Sequence, residues 1–153
     1  LGKQDGGTYV ELSLASPKDM RVRLVLDMPA RMTKAHPYVE ECVGQVAVER
    51  GPLVYCMESV DVEAESLDQV MIDPSSPVEV RMTEIKGRKI PVLDMKVRRA
   101  EPWGEDLYQE YQSEPAGQVK ARMIPYYAWD NRGAEEEMRI WTPLYPAETE
   151  GKR

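Results

Sequence analysis

Apolar residues in this chain recur mainly at every second position. Tyr9-Val-Glu-Leu-Ser-Leu14 alternates, and Met20, Val22, Leu24, Leu26 and Met28 share one side of the next run. That period is the mark of a half-buried strand. Ser16-Pro17-Lys18-Asp19 lies between the two runs and predicts a turn, hence a hairpin. A second hairpin is predicted over residues 39–49 and 53–60, turning at Arg50-Gly51-Pro52. Gly51 tolerates positive φ, while Pro52 fixes its own φ and restricts the residue before it. Val46 and Val48 then share a side of one strand, as do Leu53, Tyr55 and Met57 of the next.

Residues 61–69 are acidic and weakly patterned, which predicts a loop. Val78-Glu-Val-Arg-Met82 alternates again after Pro74-Ser-Ser-Pro77, and Ile90-Pro-Val-Leu-Asp-Met-Lys-Val97 follows a turn at Lys86-Gly87-Arg88. Pro91 cannot donate to a ladder, so it belongs at the start or edge of its strand. Residues 101–118, with Pro102-Trp103-Gly104 and Pro115-Ala116-Gly117, predict a long irregular connection. The last strands are expected at 119–129 and 138–141. No segment sustains a helical period over ten residues. The expected fold is all-β: an antiparallel two-sheet β-sandwich of jelly-roll type. One domain should span residues 1–153, with a frayed tail at 148–153.

The formal net charge is -7, with the basic residues scattered rather than striped, which argues against a nucleic-acid partner. No apolar run approaches the roughly 20 residues of a membrane span. The first residues, Leu1-Gly-Lys-Gln-Asp-Gly-Gly7, have no signal-peptide character, which favours a cytoplasmic setting over secretion. The chain starts without Met, as a fragment or processed chain would. Cys42 and Cys56 flank the hairpin out of register with each other, so two reduced thiols are expected rather than a disulfide. Neither belongs to a Cys-x-x-Cys pair and His36 is the single histidine, so no metal site and no cofactor are expected.

A glycosidase would need two carboxyl groups about 5 to 10 Å apart. Asp94, Asp130 and Glu49 sit beside expected strand ends, but among 27 acidic residues a chance pair at such spacing carries little weight. His36, fixed before Pro37, suits a structural turn better than a catalytic base. Phosphate-cradling glycine motifs are absent. The aromatic residues say more. On a strand through Ile124-Pro-Tyr-Tyr-Ala-Trp129, Tyr126 would share a face with Ile124 and Ala128, while Tyr127 and Trp129 would project from the other. Both faces would then be apolar, so Tyr127, Trp129 and Trp141 need a cover: the loop around Trp103, a neighbouring domain, or a stacked sugar ring.

Leu26-Asp-Met-Pro-Ala-Arg-Met32, Ala35-His-Pro37 and Val43-Gly-Gln-Val-Ala-Val-Glu-Arg-Gly-Pro-Leu-Val-Tyr-Cys-Met-Glu58 closely resemble the region after the catalytic barrel in glycoside hydrolase family 127. Those are bacterial β-L-arabinofuranosidase-like proteins. The resemblance resumes at Ile124-Pro-Tyr-Tyr-Ala-Trp-Asp-Asn-Arg-Gly133 and Met138-Arg-Ile-Trp141, with Asp130 where the family pattern has a small residue. Residues 61–118 match nothing in it. The resemblance implies that catalysis belongs to an N-terminal (α/α) barrel, where three cysteines and a glutamate hold zinc and one cysteine is the nucleophile. Nothing in this chain matches that motif, and Cys56 belongs to the hairpin block. The resemblance further implies that residues 8–28 end a first sandwich, part of which is absent, and that the rest makes most of a second. A non-catalytic accessory domain packing on that barrel is the expected function, with a homo-oligomer left open. The alternative is a carbohydrate-binding module stacking sugars on Tyr127, Trp129 and Trp141.

Overall fold

A computed structural model describes residues 6–7, 9–11, 21–102, 104–108, 110, 117–132 and 137–146. The expected turn at 16–19, Trp103 and the tail at 148–153 lie outside the described residues.

The alternating runs form strands β1 (Ala30–Thr33), β2 (Gln45–Arg50), β3 (Leu53–Val62), β4 (Val70–Ile72), β5 (Glu79–Ile85), β6 (Arg88–Arg99), β7 (Gly117–Pro125), β8 (Met138–Arg139) and β9 (Thr142–Pro143). No α-helix occurs among the described residues; three short 3₁₀ turns take its place. All strand ladders are antiparallel, so the chain is all-β as the alternation predicts. The ladders join one curled sheet in the order β1-β2-β3-β7-β6-β4, with β5 on β6, β8 on β3 and β9 on β2.

Residues 142–145 tie the two ends of the curl. Val46 pairs with Thr142, while Leu144 bridges Ile72 and the Tyr145 N–H donates to the Ile72 carbonyl at 2.8 Å. Inside the curl lies the main core: Val46, Val48, Tyr55, Met57, Val70, Ile72, Leu93, Val97 and Met123 are all buried. The one-sided positions Val46/Val48 and Tyr55/Met57 therefore face the core as their period requires. A smaller cluster on the other side of the sheet gathers Cys56, Ile85, Ile90, Val92, Ile124 and Ala128.

Arg50 pairs with Leu53, leaving Gly51-Pro52 as a two-residue loop. Gly51 has φ 58°, and a glycine at positive φ before proline is the II′ combination that suits strand twist. Pro91 pairs with Met82 of β5, in a stretch of β6 that β7 does not reach, so its missing N–H deprives no partner there.

Several expectations need correction. The strand expected at 39–49 begins only at Gln45, because Glu40–Cys42 is a 3₁₀ turn and Gly44 reverses the chain at φ 75°. The loop expected at 61–69 is shorter: β3 continues to Val62, and a 3₁₀ turn at Leu67–Gln69 is capped by Ser66, whose hydroxyl accepts from the Asp68 N–H. Residues 9–11 and 21–29 carry no strand, and Val22, Leu24, Val25 and Leu26 are exposed. Their period is strand-like, but no described strand lies beside them. Alternation supplies a face and not a partner.

Candidate functional site: an aromatic turn held by a buried carboxylate

The ladder between β3 and β7 breaks at one place. Met57 faces Met123 and Val62 faces Ala121, so residues 58–61 bulge opposite Arg122 alone. A bulge re-aims side chains, and this one turns Glu58 and Asp61 toward the segment that follows β7. β7 stops at Pro125, and Tyr126–Ala128 forms a 3₁₀ turn closed by the Trp129 N–H on the Tyr126 carbonyl at 3.1 Å.

Glu58 is 1% exposed and organises what comes next. Its Oε1 accepts from the Asp130 N–H at 3.0 Å, and its Oε2 accepts from Arg132 Nε at 2.9 Å. Arg132 Nη1 reaches Asp61 Oδ1 at 2.9 Å, and Nη2 bonds both carboxylates. Asn131 donates from Nδ2 to the carbonyls of Ala128 and Trp129, at 3.2 and 2.9 Å. Asp130 stands at φ 58°, a conformation that Asp tolerates better than most residues. Burial alone would lower the Arg132 pKa, but its hydrogen bonds and charge contacts with Asp61 and Glu58 outweigh this and hold it above the ordinary value. Burial first, and the Glu58 charge second, push the Cys56 thiol up to about 12. The Cys56 thiol is therefore held in its protonated form.

Sequence reasoning missed this clamp. Glu58, Asp61 and Arg132 were not among the candidates, and separations of 71 to 74 residues leave no local signal. It also misplaced the aromatics: Tyr126–Ala128 leaves the strand, so Tyr127 and Trp129 do not share a strand face. The rings that meet are Tyr126 and Trp129, parallel within 7° with centroids 6.1 Å apart. Tyr127 stands 63% exposed, Trp129 38%. Trp141, expected in a strand, lies half-buried between β8 and β9.

The carboxylates proposed for a catalytic pair are engaged separately. Asp94 takes a two-pronged bond from Arg122 at 2.7 and 3.1 Å, and Glu49 accepts from the Thr33 hydroxyl at 3.0 Å. Asp130 contributes its main-chain N–H and stays exposed. Glu58 and Asp61 do converge, but on one guanidinium, with Glu58 buried. His36 Nδ1 accepts from the Tyr38 N–H at 3.2 Å, the structural turn its setting suggests. Both cysteines are free. Among the described residues no three His, Cys, Asp or Glu side chains gather as metal ligands.

A family model described as the glycoside hydrolase family 127 C-terminal domain matches residues 30–143, from the first residue of β1 to the last of β9. The chain belongs to this family. Over 144 residues this family 127 domain is 30% identical to a non-reducing end β-L-arabinofuranosidase of Bifidobacterium longum, covering 90% of the chain and 21% of that protein. It superposes on a solved glycoside hydrolase with a TM-score of 0.72 and 40% identity, covering 80% of the chain and 20% of the other. A family 127 β-L-arabinofuranosidase from Geobacillus stearothermophilus T6 gives a TM-score of 0.71 and 34% identity over 78% of the chain and 19% of the other. The domain thus spans about a fifth of the length of these relatives.

Proposed function

We propose that this family 127 domain is a non-catalytic accessory domain of a β-L-arabinofuranosidase-like protein, and that it packs against a larger catalytic domain through its aromatic turn. The observation that carries this reading is the use made of the clamp. The convergent acids Glu58 and Asp61 are spent holding Arg132, while Tyr126, Tyr127 and Trp129 are held outward as a preformed apolar surface. Exposed patches of this kind mark interfaces. The relatives' length, about five times that of the domain, supplies room for such a partner. A two-layer, jelly-roll-like reading of the curled sheet fits the main core, which draws side chains from β2 and β3 on one side and β4 and β6 on the other.

Metal analysis of the protein and an assay on an aryl arabinofuranoside test the non-catalytic reading. Bound zinc in stoichiometric amount, or turnover lost on Cys56→Ser or Asp61→Asn, would overturn it. The exposure of Tyr127 favours a second reading, a carbohydrate-binding surface. Against it, Trp129 already stacks on Tyr126, and Trp141 sits half-buried at another place in the chain. Saturable quenching of tryptophan fluorescence by an arabinose oligosaccharide, lost in Tyr127→Ala, would make the second reading the better one.

A further inference from the structure

One face of the β6–β7 ladder changes character along its length. Val92 and Ile124 are buried in the smaller core, and the next positions, Asp94 and Arg122, are salt-bridged, with Arg81 at 3.4 Å from Asp94. One step further Lys96 and Lys120 stand directly opposite each other. Like charges so placed are destabilising. Among the described residues neither lysine has a carboxylate partner.

A groove of about 790 Å³ opens over this pair, walled by residues 60–63, where the bulge and β3 end, and by Ser75, Ser76 and Pro77. The wall is fixed to the floor, since the Lys96 N–H donates to the buried Ser76 hydroxyl at 3.0 Å. Most other charges in the lining are matched: Asp61 by Arg132, Asp94 by Arg122 and Glu79 by Arg81. The two lysines are left facing a single exposed acid, Glu63.

We propose that this groove is a binding site for an acidic saccharide, with the carboxylate of a uronic-acid unit between Lys96 and Lys120. A carboxylate between the two ammonium groups would relieve their repulsion through charge-assisted hydrogen bonds. The groove is far larger than one anion, and Gln118 and Asp94 beside the lysines are suited to sugar hydroxyls. Pro77 and Val60, both exposed, offer apolar surface to ring C–H groups. The lining includes Asp61 of the clamp but none of the aromatic residues, and the proposal does not depend on the accessory reading.

Calorimetric titration of the protein with a galacturonic acid trimer, a neutral arabinose trimer and inorganic phosphate tests the proposal. The expected result is saturable binding of the acidic trimer alone, weakened about tenfold by Lys96→Gln or Lys120→Gln, as loss of a charged hydrogen bond implies. Binding should also weaken with salt and survive Trp129→Ala. Both lysines are exposed, so their substitution should leave the melting temperature unchanged or slightly raised. No saturable binding of the acidic trimer, binding that survives both lysine substitutions, or equal affinity for the neutral trimer or for phosphate would overturn the proposal.

Discussion

The hairpin about Gly51 and the aromatic turn after Pro125 both redirect the chain tightly beside β3, but the first is built from main chain and the second from side chains. At the hairpin, three consecutive pairs from Val48/Tyr55 to Arg50/Leu53 close on a glycine at φ 58°. Everything required lies within a few residues. The aromatic turn has a three-residue 3₁₀ segment and then depends on Glu58 and Arg132, 74 residues apart in the chain. A main-chain turn degrades gradually when its special residue is replaced. A turn held by a buried charge should fail steeply, because the partner left behind has no water to solvate it.

The sharpest way to break this contrast is to remove Arg132. Arg132→Met leaves Glu58 buried and uncompensated, and urea unfolding should show a loss of about 3 kcal/mol, the lower end of the usual range because the Arg132 side chain is 21% exposed. Adding Glu58→Gln should recover part of that loss. A single-variant loss below about 1 kcal/mol would mean that the clamp is decorative and that both turns rest on main chain.

Gly51→Val probes the other side. The valine would adopt a left-handed conformation at a cost of about 1–3 kcal/mol. Its Cβ would also lie 2.7 Å from the Met28 sulfur, the flexible end of a side chain that can move. Gly51→Asn should cost much less, because Asn tolerates that conformation. Equal melting temperatures for the Val and Asn variants would refute the main-chain account.

Trp129→Ala sharpens the contrast between the clamp and what it presents. A fully buried Trp would cost about 3–5 kcal/mol on truncation, but an exposed ring stacked on Tyr126 should cost only about 1 kcal/mol. Thermal melting separates these values.

The smallest effect concerns pH. Hydrogen bonding from Arg122 holds the Asp94 carboxyl below its ordinary range, and hydrogen bonding from Ser75 does the same for Asp73. Both groups therefore contribute stability above the unfolded carboxylate pKa of roughly 3.9, and lose it as pH falls through their lower folded values. Asp94→Asn should flatten the acid limb of an unfolding titration by less than about 1 kcal/mol, since the Arg122 side chain is 40% exposed. An unchanged limb would show that the Asp94 bridge adds nothing.

Legibility followed the range of the forces involved. The β3 hairpin, its turn residue and its core-facing side were readable because a period of two and a Gly-Pro pair act locally. The resemblance at residues 43–58 and 124–133 located both partners of the clamp without revealing that they touch. The strand drawn through Tyr126–Trp129 failed because Pro125 ends the ladder and the buried Glu58 carboxylate then dictates the path. Residues 21–29 failed for the converse reason, an alternating stripe with no described strand beside it.

By itself, then, the sequence determined the all-β class and the reversal at Gly51, because alternation and turn chemistry are properties of neighbouring residues, and it pointed to the family through the resemblance at residues 43–58 and 124–133. Only the tertiary structure decided which acids are spent on Arg132, which rings face outward and that Lys96 meets Lys120. Those pairings depend on strand register and on a bulge, and register is settled by the burial of the whole sheet rather than by any one segment.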